Sequence, residues 1–447
     1  MAVGCWLLAL WLSEPQTVAG RTAVFRLWIT SGIRGAVHLP PPDNSAEAPS
    51  HWLGLAPRTA EARDAGLEFG LINHGNLVGD WWAPDAPQTR AVQDLAAWLG
   101  YDLLLPGPDE LRSAPPPAAA PQSAPVHLLR RDGLTGAIIT LHAIPRASTP
   151  YYRGQIGLAL AALAEADPEL VLVFSSGLGR YTLNQVLAPF ADQITALVTS
   201  GDPRPALDTS LGPIHALRCE EEPGAVLELI CRYDTVSRQL AGLDSRRWRT
   251  VLDTHPLDTL PPAQQAALTD LTAEALEPLA PPFHELSWDR LRAQLAAWAA
   301  DAYQVPIAWC FAPGAARRPA PAPHNRAALR QLLPRALPVW RAQLTAAELR
   351  VLLTAGTVGP AAMRPGLYQQ GARTPQLGRL RVGAGLIRHA HQRNPVILVG
   401  DYRLAAGPSG AMFSALLAQP TARLSPVRDD FRPVLADRWR LPANGKE

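Results

Sequence analysis

Short apolar segments of four to seven residues recur through the first half of this chain, separated by longer stretches rich in Ala and Leu. Segments of this length suit strands buried on both faces, whereas the stretches between them, such as 91–99 and 156–166, have helical spacing. Strands that alternate with helices favour an α/β domain with a mostly buried sheet. We therefore predict strands at 25–30, 67–73, 102–105, 137–141, 170–175 and 194–199.

The character of the chain changes near residue 250, where longer helical stretches begin at 261–279 and 288–303. Further strands are predicted at 305–310 and 396–399. A chain of 447 residues is long enough for two or three domains. We predict an α/β fold of two domains, the first at 20–250 and the second at 285–447, joined by a helical linker at 251–284.

An apolar run of ten residues, 3–12, stands near the start and is followed by polar residues and the small-residue sequence Thr17-Val18-Ala19. Ten residues are too few to span a bilayer, and this order is typical of a secretory signal peptide. We predict a signal at 1–19 and export to the periplasm or the extracellular space. No Lys or Arg precedes the run, so a misplaced start or a buried first strand stays open. No later run approaches the roughly 20 apolar residues of a membrane helix, so we expect a soluble mature chain.

The net charge and the cysteine content restrict the classes of function that this chain can have. A formal net charge of +2 argues against a polybasic nucleic-acid binder. The four cysteines have no metal-ligand spacing, and we expect buried free thiols. Cys219 and Cys231 flank a predicted turn at 222–224, but no pairing register is evident and no disulfide is predicted.

The loops that follow the predicted strands carry a series of motifs. The first strand runs into Thr30-Ser31-Gly32-Ile33-Arg34-Gly35, and the second into Gly75-Asn76. In order and spacing these loops resemble the 5'-nucleotidase family of calcineurin-like metallophosphoesterases, in which a dimetal phosphoesterase domain precedes a nucleotide-recognition domain. That family has Thr-Asn-Asp-x-His-Gly at the first loop and Gly-Asp at the second. Gly32, Arg34 and Asn76 therefore stand where the resemblance implies metal ligands.

Three further loops keep the family's frame without its imidazoles. The family's Gly-Asn-His-Glu corresponds to Gly107-Pro108-Asp109-Glu110, its Ser-His-x-Gly to a strand end in 171–179, and its Gly-His-x-His to Gly201-Asp202-Pro203-Arg204. The resemblance thus implies the two-domain fold together with degenerate site positions at Pro108, Asp109, Ser176, Asp202 and Arg204.

The second half resembles the family's nucleotide-recognition domain. The family's substrate-gripping Asn-x-Gly-Gly-x-Arg corresponds to 312–317, which keeps Gly314 and Arg317. Ala411 stands where the family has an aromatic ring that stacks on the base, and such stacking is worth about 1–3 kcal/mol. The resemblance implies weak base recognition, with Arg317, Gly314 and Arg34 as the residues able to contact a phosphate or nucleotide ligand.

The family's reaction needs two divalent metal ions about 3.5–4 Å apart, held by carboxylates and imidazoles. Among the positions that correspond to the family's metal ligands, Asp202 is the one acid. Asp109 stands where the resemblance implies the histidine that assists the leaving group. Arg34 and Arg204 count more strongly against a metal, because a guanidinium stays protonated and cannot be a ligand. Two unit charges about 4 Å apart interact by about 4 kcal/mol at an effective dielectric constant of about 20, and a dication roughly doubles the repulsion. We predict a site without a metal cofactor.

Two roles for these arginines stay open. An arginine fork suits a phosphate or a carboxylate, so the pocket could retain an anion site. We favour the alternative, in which Arg34 and Arg204 pair with Asp109, Glu110 or Asp202 and fill the vacated cavity, because an unpaired buried Arg is costly.

Three functional hypotheses follow. The first is an exported pseudoenzyme, a 5'-nucleotidase-like protein that binds or scaffolds without catalysis. The second is a divergent metal-dependent phosphohydrolase acting on nucleotides, with ligands from displaced positions such as Asp80, Asp109 and His74. The third is a phosphate or nucleotide binder without turnover that uses Arg34 and Arg317.

Overall fold

The architecture is that of a computed structural model of the chain. It describes residues 22–37, 51–79, 81–82, 85–107, 110–113, 124–143, 147–200, 209–250 and 260–280, together with shorter stretches between 285 and 439. The chain divides into two compact units, one ending at Thr272 and the other beginning at Ala273.

The first unit contains two sheets. One sheet consists of β1 (Thr22–Thr30), β2 (Gly70–His74), β3 (Leu103–Leu105), β10 (Ala225–Asp234) and β11 (Gln239–Arg249). Its strand order is β11-β10-β1-β2-β3. The first three strands are parallel to one another, and β10 is antiparallel to both β1 and β11.

The other sheet has six strands in the order β4-β5-β6-β7-β9-β8. Its members are β4 (Val126–Arg131), β5 (Leu134–His142), β6 (Leu170–Ser176), β7 (Ala196–Ser200), β8 (Thr209–Leu211) and β9 (Ile214–Arg218). The central strands β5, β6, β7 and β9 are parallel, and β4 and β8 flank them in antiparallel pairing.

The two sheets pack face to face through a shared apolar core. Successive side chains of a strand point to opposite faces, so Phe25, Leu27 and Ile29 of β1 enter this core while Trp28 lies on the outer face. Phe174 of β6 enters the same core from the other sheet. Each of these inward side chains is almost wholly buried, and burying one such side chain stabilises the fold by about 1.5–3 kcal/mol.

Helices cover both outer faces. Against the first sheet pack α1 (Leu55–Asp64), α2 (Pro87–Leu99) and part of α5 (Pro262–Leu276), and against the second pack α3 (Thr149–Leu163) and α4 (Arg180–Leu187). Local sequence sets the helix ends. Pro87 begins α2 and Gly100 ends it with a left-handed φ of 78°, while the Ser148 hydroxyl caps α3 by accepting from the Tyr151 N–H. Single 3₁₀ turns lie at Trp52–Gly54, Glu110–Ser113 and Ala188–Phe190.

The second unit has its own mixed sheet in the order β16-β13-β17-β15-β18, formed by β13 (Ile307–Cys310), β15 (Val339–Leu344), β16 (Gly366–Gln369), β17 (Asn394–Val399) and β18 (Leu424–Arg428). β12 (Glu285–Leu286) and β14 (Ala320–Pro321) form a short ribbon. The described helices of this unit include α6 (Arg326–Leu332) and α7 (Arg432–Trp439).

The predicted α/β class is confirmed. All six strands predicted in the first half exist, with ends shifted by at most three residues, and the helices predicted at 91–99 and 156–166 correspond to α2 and α3. In the first unit, β4 and β8 to β11 were not predicted from the sequence. Most of these strands pair in antiparallel fashion, and charged residues such as Glu228 in β10 interrupt their apolar pattern. The helix predicted at 288–303 lies mostly outside the described residues.

The predictions for the cysteines, for membrane helices, for the signal peptide and for the domain limits have the following outcomes. Cys219 and Cys231 are buried free thiols, as predicted. Within the described ranges, no helix has the length and apolarity needed to cross a membrane. The predicted signal peptide at 1–19 lies outside the described residues. The predicted domain limits remain predictions, and the division between the compact units falls within the predicted linker.

Candidate functional site

The carboxyl ends of the parallel strands from both sheets meet at one edge of the sandwich. β2 ends at His74, and its carbonyl oxygen accepts a 2.9 Å hydrogen bond from the Ser31 hydroxyl, which follows β1. The same oxygen accepts a 3.3 Å bond from the Ser200 hydroxyl, at the end of β7 in the other sheet. Loops from both sheets therefore converge here.

The loops after β1 and β2 are joined by backbone hydrogen bonds. The N–H groups of Gly32, Arg34 and Gly35 donate to the carbonyls of Gly75, Asn76 and Leu77 over 3.1, 2.8 and 2.9 Å. Gly32, Arg34 and Asn76 have positive φ angles of 69°, 48° and 55°. This left-handed conformation costs most residues other than glycine about 1–2 kcal/mol. The backbone hydrogen bonds between the two loops hold Arg34 in it.

Arg34 forms an ion pair within this edge. Its Nη2 donates to Oε2 of Glu221 over 2.7 Å, and the two side chains are only 17% and 18% exposed. Glu221 follows β9 and lies 187 residues away along the chain. The predicted partner Glu110 is wrong for this arginine, while Asp109 and Asp202 lie outside the described residues.

Glu221 also fills the space beside Gly32. A Cβ at Gly32 would lie 2.6 Å from the Glu221 Cβ and 2.7 Å from its Cα. Real Cβ atoms do not approach other carbons this closely, so a side chain at position 32 requires the backbone at residue 221 to move. The place of the family's aspartate is therefore occupied by another part of the chain.

Glu110 binds backbone rather than a cation. Its Oε1 accepts from the N–H groups of Val78 and Gly79 over 2.8 and 3.4 Å, and its Oε2 accepts from Gly107 N–H over 2.8 Å. Burial raises the pKa of Glu110, and these donors counteract part of that effect. The carboxylate ties the loop after β2 to the loop after β3.

Two histidines line the interior of this edge. The His74 Nε2–H donates to the Ser175 carbonyl over 3.2 Å, and its ring packs edge-on against Phe174, with 4.9 Å between centroids. The His142 Nδ1 lies 2.9 Å from the Ser176 hydroxyl. Burial lowers the pKa of His74 to about 3, with a further contribution from the nearby His142, and lowers the pKa of His142 to about 4. Both imidazoles are therefore neutral at pH 7.

Comparison with solved structures places this architecture among known folds. The 5'-nucleotidase precursor of Thermus thermophilus superposes with a TM-score of 0.59 at 14% identity, over 95% of this chain and 98% of that one. The 5'-nucleotidase of Candida albicans gives 0.54 at 10% identity, over 93% and 97% of the two chains.

The chain has the two-domain 5'-nucleotidase fold. The sulfate thiohydrolase SoxB of Thermus thermophilus, in complex with glycerol, also shares it, with a TM-score of 0.53, 13% identity and coverage of 93% and 94%. No protein-family model and no curated protein sequence matches the chain. The likeness therefore establishes the 5'-nucleotidase fold and leaves the reaction open, since one fold hosts different chemistries.

The dimetal centre implied by the resemblance does not fit the described residues at this edge of the 5'-nucleotidase fold. Gly32 has no side chain, and Arg34 is a cation paired with Glu221. Asn76 can offer only an uncharged amide oxygen, and Ser176 is engaged with His142. Within the described part of the chain, no three His, Cys, Asp or Glu side chains group so as to hold a metal ion.

The remaining predicted site positions lie outside the described residues: Asp80, Pro108, Asp109, Asp202, Arg204, Gly314, Ala411 and Arg317. For these positions the sequence-based roles stay predictions.

Three residues of this edge were missed by sequence reasoning. Glu221 was missed because β9, the strand before it, was not predicted. Ser200 and His142 each lie one residue beyond a predicted strand, at 194–199 and 137–141. Polar residues directly after buried strands were therefore the available signal for both.

Proposed function

We propose that this chain is an exported, non-catalytic member of the 5'-nucleotidase family that acts by binding or scaffolding. The shared two-domain fold and the ordered loop motifs support the family assignment. The loss of ligand types at those loops supports the absence of hydrolysis.

The contact of Glu221 with Gly32 and Arg34 carries the proposal. A dimetal hydrolase needs an anionic ligand at this edge and an open space for two cations. Here the acid is lost, its space is taken by Glu221, and a fixed guanidinium stands beside it. Glu221 is itself a carboxylate, but it is bound to the guanidinium of Arg34 over 2.7 Å and is therefore not offered to a metal ion as a replacement ligand.

The same ion pair bears on anion binding. A phosphate that approached Arg34 would compete with the Glu221 carboxylate, already bound at 2.7 Å, and would be repelled by its negative charge. This argues against Arg34 as a phosphate receptor and favours a binding role elsewhere on the protein.

The test combines elemental analysis with a hydrolase screen. We expect manganese, zinc and iron at background after purification, and no hydrolysis of nucleoside monophosphates or bis-aryl phosphodiesters with or without added manganese. The surface variant Asp167→Ala serves as a control for Asp109→Ala. One tightly held equivalent of metal, with manganese-stimulated hydrolysis that Asp109→Ala abolishes and Asp167→Ala retains, would replace this proposal with a divergent phosphohydrolase.

Ligand binding without turnover is a separate outcome of the same screen. A bound nucleotide at about a hundredfold excess over its dissociation constant stabilises the native state by about 2.7 kcal/mol. Thermal stabilisation by phosphate or AMP that is lost in both Arg34→Ala and Arg317→Ala would assign a nucleotide-binding role and contradict the argument from the ion pair.

Export is tested on the protein made in its native host. We expect the chain in the periplasmic or extracellular fraction, with an N-terminus after residue 19. Recovery of the full-length chain in the cytoplasm would overturn this part of the proposal and leave the metal argument unchanged.

A further inference from the structure

A groove on the outer face of the first sheet lies apart from the metal-site positions. It has a volume of about 420 Å³ and is lined by residues of β1, α1 and β11, namely Trp28, Arg58, Glu61, Ala62, Trp248 and Arg249. Small-molecule sites have volumes of about 300–1,000 Å³. The groove is therefore large enough for a small ligand, and all of its walls belong to one compact unit.

Two indole rings form the apolar part of the groove. Trp28 stacks on Phe69 with 4.1 Å between ring centroids and is only 7% exposed, so it forms the base. Trp248 meets Trp28 edge-on, with 5.0 Å between centroids and 80° between the ring planes, and stays partly exposed. Both rings are therefore held in place before a ligand arrives, which lowers the entropic cost of binding.

The charged side chains that border the groove are already paired. Arg58 Nη1 lies 3.2 Å from Glu61 Oε2. Arg249 Nη2 lies 2.7 Å from Glu222 Oε2 and 3.1 Å from Glu220 Oε2. An anion would meet these carboxylates and a cation would meet the two guanidinium groups, so neither is attracted by an unbalanced charge. The groove therefore favours an uncharged ligand.

The same ion pairs leave hydrogen-bonding capacity at the rim of the groove. A guanidinium has several N–H donors and a carboxylate has several acceptor positions, and one ion pair uses only part of them. Arg58 and Glu61 are 63% and 66% exposed, so the remaining positions are hydrated. An apolar ligand would remove this water without replacing its hydrogen bonds, which is costly. A ligand with several hydroxyl groups can donate to the carboxylate and accept from the guanidinium.

We propose that this groove is a binding site for a neutral carbohydrate. One pyranose ring packs with its C–H face on Trp248, and its hydroxyl groups bond to Arg58 and Glu61. The face of an aromatic ring is electron-rich and attracts the slightly positive C–H groups. A pyranose therefore matches both the indole wall and the paired ions. No residue of the groove belongs to the metal-site loops, so this proposal and the proposed loss of catalysis fail independently.

The experiment uses the full chain and cellobiose, whose β-linked glucose rings carry equatorial substituents and leave both ring faces lined by C–H groups. Isothermal titration calorimetry should show saturable binding with a dissociation constant of about 1 mM or below. Raising the salt concentration from about 50 to about 500 mM should change this constant by less than about twofold, because salt screens only charged ligands. Sorbitol has hydroxyl groups but no ring, and it should bind at least about tenfold more weakly.

Substitutions locate the site. Trp248→Ala removes the indole wall and should weaken cellobiose binding by at least about tenfold. Glu61→Ala changes an exposed side chain, keeps the test valid if Trp248→Ala unfolds, and should weaken binding by at least about threefold. Tyr181→Ala and Asp167→Ala are matched controls, because Tyr181 is an exposed aromatic residue of α4 and Asp167 forms an exposed ion pair with Arg238, both outside the groove. Both controls should bind cellobiose as the wild type does.

The proposal is overturned if cellobiose fails to saturate the protein at about 20 mM, if sorbitol binds equally well, or if the groove variants and the controls have the same effect. Glucuronate and tetramethylammonium serve as charged probes. Tighter, salt-dependent binding of either one would also overturn the proposal and would assign the groove to an anion or to a cation.

Discussion

Restoring the family's acid at position 32 should damage the fold and should not bring back a metal. Gly32→Asp introduces the carboxylate that the first family motif carries. In this chain, however, the new Cβ would lie 2.6 Å from the Cβ of Glu221 and 2.7 Å from its Cα. One of these atoms belongs to the backbone, so a side-chain rotation at residue 221 cannot relieve the contact.

Two costs add in this variant. Gly32 has a φ of 69°, and a side chain in this region costs about 1–2 kcal/mol. Overpacking a filled site costs about 1–3 kcal/mol more. We therefore expect the free energy of unfolding of the first unit to fall by about 2–5 kcal/mol.

A second glycine separates the two costs. Gly66 has a similar φ of 72°, and a Cβ there would meet nothing within 4 Å. Gly66→Asp should therefore lose only the backbone part, about 1–2 kcal/mol. The difference between the two variants measures the contact with Glu221.

The assay is urea unfolding followed by tryptophan fluorescence, with elemental analysis of both variants after dialysis against manganese. The reasoning is refuted if Gly32→Asp is no less stable than Gly66→Asp, or if Gly32→Asp alone retains about one equivalent of manganese. Either result would mean that Glu221 does not occupy the ligand position in solution.

Three further predictions concern the same edge and the core behind it. Glu110→Gln should lower the free energy of unfolding by about 2–4 kcal/mol in urea titrations, because its carboxylate accepts from several backbone N–H groups and an amide nitrogen cannot; an equally stable variant would contradict this. The free energy of unfolding should also fall as the pH drops below 6.5, because His74 and His142 stay neutral in the folded state but gain protons in the unfolded state. By pH 5 this lowers the free energy of unfolding by about 2 kcal/mol for each imidazole. Glu110 has a raised pKa, so its protonation stabilises the folded state as the pH falls and opposes the effect of the histidines. The measurement is therefore the change in unfolding free energy between pH 7 and pH 5, made for the wild type and for His142→Gln. This change should be smaller in His142→Gln. Finally, Cys219 and Cys231 should react with a thiol reagent only after denaturation, because burial raises the pKa of both thiols; labelling in native buffer at the rate of a free peptide thiol would disprove it.

The buried parallel strands were predictable because their signal is local. An apolar run such as 170–175 must be buried on both faces, and this holds whichever strands lie beside it. The edge strands carry mixed sequences, and β11 is largely exposed. The pairing of β11 with β10, of β4 with β5 and of β8 with β9 depends on neighbours that no local pattern specifies, which is why these edge strands were missed.

The candidate site divides in the same way. The sequence alone placed Arg34 and Gly32 at a strand end and established that neither can bind a metal ion through its side chain. Only the tertiary structure decided that Glu221, rather than Glu110, neutralises Arg34 and closes the space beside Gly32. Side-chain chemistry is a property of the residue itself, whereas an ion pair between positions 187 residues apart depends on how two sheets bring their strand ends together.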